Sequence, residues 1–225
     1  MNMEIPDAAY HIDLEYKKGL VRDIDAAGSD NHEYFGGTWT GGYHIQQDPE
    51  EFADLLLALD RVGGVNSYLQ IGIAAGGAER VLCEYLQPSS LERLTVMDDG
   101  RHPNNRVWRT QNKLAIELAE IRVTEFVGNS HGNEAIRFLT EEHPDSLYDL
   151  IGIDGDHSPA GVRMDWALVQ PFIRAGTLVF LHDIKIAIAG ETGARELWEK
   201  LKVDPAFEVM LETDGKFGIG LVRKK

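Results

Sequence analysis

From residue 48 onward two patterns of apolar positions alternate along the chain. Phe52, Leu55, Leu56 and Leu59 recur at i, i+3, i+4 and i+7, one face of a helix. That helix opens on Asp48-Pro49-Glu50-Glu51 and closes at Gly63-Gly64. Asp48 suits the N-cap, Pro49 the first helical position, and the two glutamates the positive end of the helix dipole. Short apolar runs over 67–71, 94–97, 123–127, 147–153 and 177–181 then predict five strands. Helical patterns over about 76–86, 105–120, 131–142 and 192–201 separate them, with one more from Pro159 carrying Val162, Trp166, Val169 and Ile173 on one face. Strands and helices in alternation imply a parallel sheet covered on both faces, with right-handed crossovers. Two last runs, 207–211 and 217–222, are joined by Glu212-Thr213-Asp214-Gly215-Lys216 and read as an antiparallel hairpin. The fold class is therefore α/β: a doubly wound, mostly parallel, Rossmann-like sheet of seven strands with an antiparallel C-terminal hairpin. That hairpin separates it from the six-stranded dinucleotide fold.

Residues 1–47 keep no period. Gly36-Gly37, Gly41-Gly42 and the aromatics Tyr34, Phe35, Trp39 and Tyr43 predict a mostly irregular arm with one short helix near 13–20. The arm is either a packed surface segment or a lid over a pocket; residues 48–225 form the main domain. The 225 residues suit one generous domain. Lys and Arg number 22 against 37 Asp and Glu, a net charge of −15, which disfavours nucleic-acid and anionic-membrane partners. The lone Cys83 excludes an internal disulfide, no run is long enough to span a bilayer, and the N-terminus lacks signal-peptide regions. A cytoplasmic location is the expectation.

The first strand runs into Gly72-Ile73-Ala74-Ala75-Gly76-Gly77, where glycines allow close approach of backbone to a ligand. The spacing is not the G-x-G-x-x-G of dinucleotide folds. Asp98, at the end of the second strand, is placed to accept ribose hydroxyls, or merely to cap a loop. Asn129 and Ser130, after the third strand, can bond an adenine, cap the helix that follows, or do both. The fourth strand delivers Asp154, Asp156 and His157, and the fifth His182 and Asp183. Their strand ends should be neighbours on the rim that carries the glycine turn. Asp156 or Ser158 could instead cap the helix from Pro159, and either histidine could be an ordinary packed residue; as a cluster they point to function. Of the other histidines, only His44 and His131 stand out from surface or loop residues.

Residues 69–77, Leu-Gln-Ile-Gly-Ile-Ala-Ala-Gly-Gly, resemble the glycine turn of class I S-adenosylmethionine methyltransferases. Thr38-Trp39-Thr40-Gly41-Gly42 with Gln47-Asp48-Pro49-Glu50-Glu51-Phe52 is similar to a segment of the cephalosporin-hydroxylase-like and rhamnosyl O-methyltransferase family. Ile153-Asp154-Gly155-Asp156-His157-Ser158 and Leu181-His182-Asp183-Ile184 resemble that family's two metal-site segments. The likeness spans about residues 38–223. It departs at Gln70, where these folds often carry an acid beside the methionine end of the cofactor, and at His182, where many relatives place a carboxylate.

The resemblance implies methyl transfer from S-adenosylmethionine to a hydroxyl of a small molecule such as a sugar, polyketide or catechol. The cofactor would lie on Gly72, Ile73, Ala74, Gly76 and Gly77, with ribose at Asp98, adenine near Asn129 and Ser130, and Asp154 within reach. Asp154, His182 and Asp183 would hold a divalent metal: Mg²⁺ in first place, or Mn²⁺, Fe²⁺ or Zn²⁺ as the imidazole weighs in. His157 is the expected general base, because its ordinary pKa of about 6.5 is near neutral pH. Asp156 is the alternate base and would need burial to raise its pKa. Association into a homo-oligomer is open. The rival readings are a NAD-dependent oxidoreductase and a cofactor-binding module without catalysis.

Overall fold

The computed structural model describes residues 7–28, 42–86, 91–142 and 147–225. Helices α1 (Asp7–Ala26) and α2 (Pro49–Val62) precede β1 (Ser67–Ile71), α3 (Gly77–Leu86) and β2 (Arg93–Asp98). A helical run α4 follows, in three pieces: Asn105–Val107, a π turn Trp108–Asn112, and Lys113–Leu118. Then come β3 (Arg122–Val127), α5 (Asn133–Glu142), β4 (Leu150–Ile153), α6 (Pro159–Val169), β5 (Leu178–His182), α7 (Gly193–Leu201), β6 (Phe207–Glu212) and β7 (Ile219–Lys224). The seven strands form one sheet in the order β3-β2-β1-β4-β5-β7-β6. The first five pair in parallel; β7 runs antiparallel to both β5 and β6. The fold class read from the pattern holds.

Each strand feeds two cores. On β1, Tyr68 belongs to one cluster with Leu55, Leu59 and Leu82, while Leu69 and Ile71 face the other with Ile151 and Val179. Alternate residues of a strand point to opposite faces, and a doubly covered sheet makes both faces apolar. Asp48 caps α2 as its residue type requires, its carboxylate accepting from the N–H groups of Glu50 and Glu51 at 2.9 and 3.2 Å. Sheet order reverses at β1, which has β2 on one side and β4 on the other. Open α/β sheets bind ligands outside such a switch point.

The arm differs from expectation. In place of one short helix near 13–20, α1 has 20 residues and reaches Ala26. Ile24 is buried in the core, and Lys17 pairs with Asp54 of α2 at 2.8 Å, so packing on α2 supplies what the weak local pattern lacks. The aromatic and glycine positions 34–41 lie outside the described residues. The expected helix over 105–120 is real but interrupted. Its π turn brings Asn112 beneath the glycine turn, where its side-chain amide donates to the carbonyls of Tyr43 and Ala75 at 2.8 Å each. No helix among the described residues is long and apolar enough to cross a membrane.

Candidate active site

The carboxyl ends of β1, β2, β4 and β5 open into one cavity of about 710 Å³. Small-molecule sites typically measure roughly 300–1,000 Å³. Gly72, Ile73, Ala74 and Gly77 line it, opposite Asp154, His157, His182 and Asp183. The loop 42–47 contributes His44, Gln46 and Gln47.

The glycine turn is shaped by protein contacts. Gly72 has φ 78°, and a Cβ there would meet the Asp154 carbonyl oxygen at 2.0 Å. Gly77 has no room either, since its Cβ would fall 2.4 Å from the carbonyl oxygens of Tyr43 and His44. The turn therefore fits closely between the end of β4 and the segment before α2. Asp98 holds it from the side: Ile73 and Ala74 donate their N–H groups to Asp98 Oδ2 at 2.9 and 3.3 Å, and Gly100 N–H donates to Oδ1 at 2.7 Å.

Across the switch point stand two acids and two imidazoles. His157 Nε2 is 3.4 Å from Asp154 Oδ1, and its Nδ1 is 3.2 Å from Asp183 Oδ2. His182 Nδ1 is 3.4 Å from Asp154 Oδ1 and 3.2 Å from Asp183 Oδ1. Gln47 donates its amide N–H to Asp154 Oδ2 at 3.2 Å. Asp154, His182 and Asp183 each offer one ligand atom, all within 4.8 Å of one another. Asp183 adopts φ 64°, a left-handed conformation that Asp tolerates better than most residues.

Charge inside this group is strongly coupled. The hydrogen bond from His157 to Asp154 raises the His157 pKa to about 9, against the opposing effect of burial. Burial works against a charged His182, yet the Asp154 and Asp183 carboxylates outweigh it and raise its pKa well above the usual value. Burial alone would raise the Asp154 carboxyl; the His182 and His157 cations overcome it and hold it below the ordinary range.

Residues 69–184 match the model of a family described as a methyltransferase domain. The chain belongs to this family. No curated protein matches it. Among solved structures, the O-methyltransferase TomG of Streptomyces achromogenes, involved in tomaymycin synthesis and bound to SAM, is 18% identical with a TM-score of 0.63, covering 99% of this chain and 100% of its own. A Bacillus cereus O-methyltransferase in complex with SAH is 18% identical with a TM-score of 0.61, covering 92% and 91%. MycE of the mycinamycin pathway, in complex with Mg and SAH, is 15% identical with a TM-score of 0.50, covering 87% of this chain and 54% of its own. At such identities the likeness is one of fold.

The methyltransferase places most of the residues expected from sequence in one cavity, with three corrections. Gly76 does not line it: a Cβ there would strike the Trp108 ring at 2.2 Å, so its smallness serves the π turn. Asp156 is exposed, and its carboxylate accepts from Ser158 N–H at 2.9 Å. What burial it has would raise its pKa, but the Ser158 hydrogen bonds outweigh this and lower it, so it lacks the burial that an alternate base needs. Neither Asn129 nor Ser130 caps the helix after β3, because α5 begins only at Asn133. Both line the cavity; Asn129 Oδ1 accepts from His131 N–H at 2.9 Å, and Ser130 donates its hydroxyl proton to Asp165 Oδ1 at 2.6 Å.

Asp165, Gln46 and Gln47 carry no signal of a site role in the sequence. Asp165 is fully buried in α6 and lies 3.2 Å from His131 Nε2. His102 belongs to the polar loop 101–106, which the sequence leaves between solvent exposure and the edge of the adenosine pocket; it reaches Gln46 at 3.2 Å and lines the cavity. An acid in the middle of a helical pattern reads as solvated, and loop amides carry no periodic signal; only the three-dimensional fold reveals them.

Proposed function

We propose that this methyltransferase carries the methyl group of S-adenosylmethionine to a hydroxyl oxygen of a small molecule, with His157 as general base. The observation that supports this most is that the glycine turn and the Asp154–His157–His182–Asp183 group share one cavity. The methyl donor lies along the turn, its ribose at Asp98 and its adenine beside Asn129 and Ser130. Asp98 already accepts two N–H groups on each oxygen, the Asn105 side-chain amide among them at 3.4 Å, so a ribose hydroxyl there takes the place of the longest of these bonds. Ordering of the loop 42–47 against the turn supports reading residues 1–47 as an arm that covers the site and 48–225 as the catalytic domain.

The acceptor hydroxyl meets the donor beside His157. Its oxygen bonds to the methyl carbon as the carbon–sulfur bond breaks, S-adenosylhomocysteine departs, and the hydroxyl proton passes to a ring nitrogen of His157. Positioning in line and removal of this proton are what the chain contributes.

Asp154, His182 and Asp183 form a donor set suited to a divalent cation, with hard oxygens that fit Mg²⁺ and an imidazole that favours Mn²⁺, Fe²⁺ or Zn²⁺. Bound by these three residues, a cation would supply Lewis-acid polarisation of the hydroxyl and would offset the carboxylate charge that keeps His157 protonated. That MycE is in complex with Mg and SAH is in keeping with this.

The test is calorimetric titration with S-adenosylhomocysteine, followed by labelled S-adenosylmethionine with a panel of hydroxylated acceptors and added divalent metal. Binding and label transfer to oxygen are expected. A protein that ignores S-adenosylhomocysteine but binds NAD at micromolar level overturns the proposal.

A further inference from the structure

Glu79 sits in the first turn of α3 and is only 3% exposed. It lines the main cavity and also a small pocket behind it, shared with Tyr68, Gln70 and His182. Its Oε2 has no hydrogen-bond partner. A buried carboxyl oxygen without a partner is costly, and such an atom calls for an explanation. The neighbouring side chains give it none. The Tyr68 hydroxyl donates to Gln70 Oε1 at 2.6 Å, and the Gln70 amide donates to the Ile71 and Gly72 carbonyls at 3.1 and 2.8 Å. The donors of Tyr68 and Gln70 are thus committed elsewhere. Burial raises the Glu79 carboxyl pKa well above its ordinary value, and the neighbouring charges that act on it, Asp154 and Asp98, are both acids that raise it further.

A walled-in acid with an open oxygen and acidic neighbours is suited to a cation brought by a ligand. We propose that Glu79 binds the α-ammonium group of the methionine end of S-adenosylmethionine. The inference rests on the cofactor reading above. With the ribose at Asp98 and the methyl group facing His157, the amino-acid end carries the only primary ammonium of the donor, and Glu79 is a buried carboxyl on the cavity wall whose Oε2 lacks a donor. Gln70 suits this role less well, because it is uncharged, its oxygen already accepts from Tyr68 and its amide is committed to two backbone carbonyls.

The experiment compares three ligands by calorimetry: S-adenosylhomocysteine, its analogue lacking only the α-amino group, and 5′-methylthioadenosine, which lacks the amino-acid end. On the natural protein the deaminated analogue should bind roughly 10- to 100-fold more weakly than S-adenosylhomocysteine, as expected for loss of a charged hydrogen bond. Glu79→Gln should weaken S-adenosylhomocysteine by a similar factor, leave 5′-methylthioadenosine unchanged and abolish the preference for the amino group. Equal binding of S-adenosylhomocysteine and its deaminated analogue by the natural protein overturns the assignment, even if Glu79→Gln does not fold. Equal weakening of all three ligands in Glu79→Gln also overturns it, in favour of a purely structural residue. If the natural protein binds none of the three, the cofactor reading itself fails and takes this assignment with it.

Discussion

Glu51 and Gly218 are 167 positions apart in sequence and joined by a hydrogen bond of 2.8 Å, from Gly218 N–H to Glu51 Oε2. Phe217 N–H donates to Oε1 of the same carboxylate at 3.2 Å. The carbonyls of these two residues in turn accept from Lys185 and Ile184, just past Asp183. One buried acid on α2 thereby fixes the loop after β6 against the loop that carries the cluster. Phe217 lines the cavity, its ring 6.0 Å from that of His182.

Glu51→Ala should accordingly leave two buried N–H groups without an acceptor. At roughly 1–3 kcal/mol for each unsatisfied group, a loss of about 2–6 kcal/mol is expected, seen as a lower urea midpoint. Methyl transfer should fall as well, since the wall beside His182 loosens. An unchanged midpoint would show that this carboxylate does not anchor the loop.

Asp98→Ala removes the acceptor for the N–H groups of Ile73, Ala74 and Gly100. If Asp98 also holds the ribose, affinity for S-adenosylhomocysteine should drop well over tenfold, from loss of charge-assisted bonds of about 1.5–3 kcal/mol each. Calorimetry with adenine alone separates the two duties, because a ligand without ribose feels only the disordered turn. Unchanged S-adenosylhomocysteine binding excludes the ribose role.

Much of this was legible in the chain because local and global signals agree. The run 67–71 is mostly apolar, flanked by glycines and followed by a glycine turn and a helical pattern, so β1 was read to the residue. The cluster was legible because Asp154, His157, His182 and Asp183 fall at strand ends, and strand ends in a parallel sheet converge on one rim. Buried acids were not. Glu51 reads as a first-turn residue serving the helix dipole, yet it is 2% exposed; Glu79 sits in the same kind of position and is also buried. Whether an acid in a first helical turn faces water depends on what packs over the helix end: for Glu51 that is the 213–218 loop, far off in sequence, and for Glu79 the nearby β1 wall. The length of α1 escaped for the same reason, since its support comes from α2.

With divalent metal removed, stability should decline as pH rises from about 6.5 through 9. The hydrogen bond to Asp154 raises His157 to about 9, and the two carboxylates raise His182 despite its burial. A folded-state pKa above the unfolded value of about 6.5 means that the folded form binds the proton more tightly. The gain is complete below about pH 6.5 and disappears as pH passes through the folded value. Melting temperatures of chelated protein at pH 6 and pH 10 measure it, and His157→Gln should flatten the slope. Equal slopes in the variant and the natural protein would show that His157 is not held protonated by its neighbours.

The catalytic cluster separates by role when each member is changed. His157→Ala should lower turnover roughly 10²–10⁴-fold, the usual worth of a positioned base, with little change in S-adenosylhomocysteine affinity. Asp154→Ala should abolish turnover and weaken metal binding, since Asp154 contacts His157, His182 and Gln47 together. Asp183 needs a more careful substitution. Its φ of 64° makes Asp183→Ala strained as well as uncharged, whereas Asn accepts that conformation. Asp183→Asn should therefore fold with near-natural stability and still lose most activity, which separates the charge from the backbone. Exhaustive chelation should abolish turnover, and Mg²⁺ or Mn²⁺ should restore it. Turnover that survives chelation but is lost in His157→Ala would remove the metal from the mechanism. Proton removal would then belong to His157 and His182 acting with the two carboxylates.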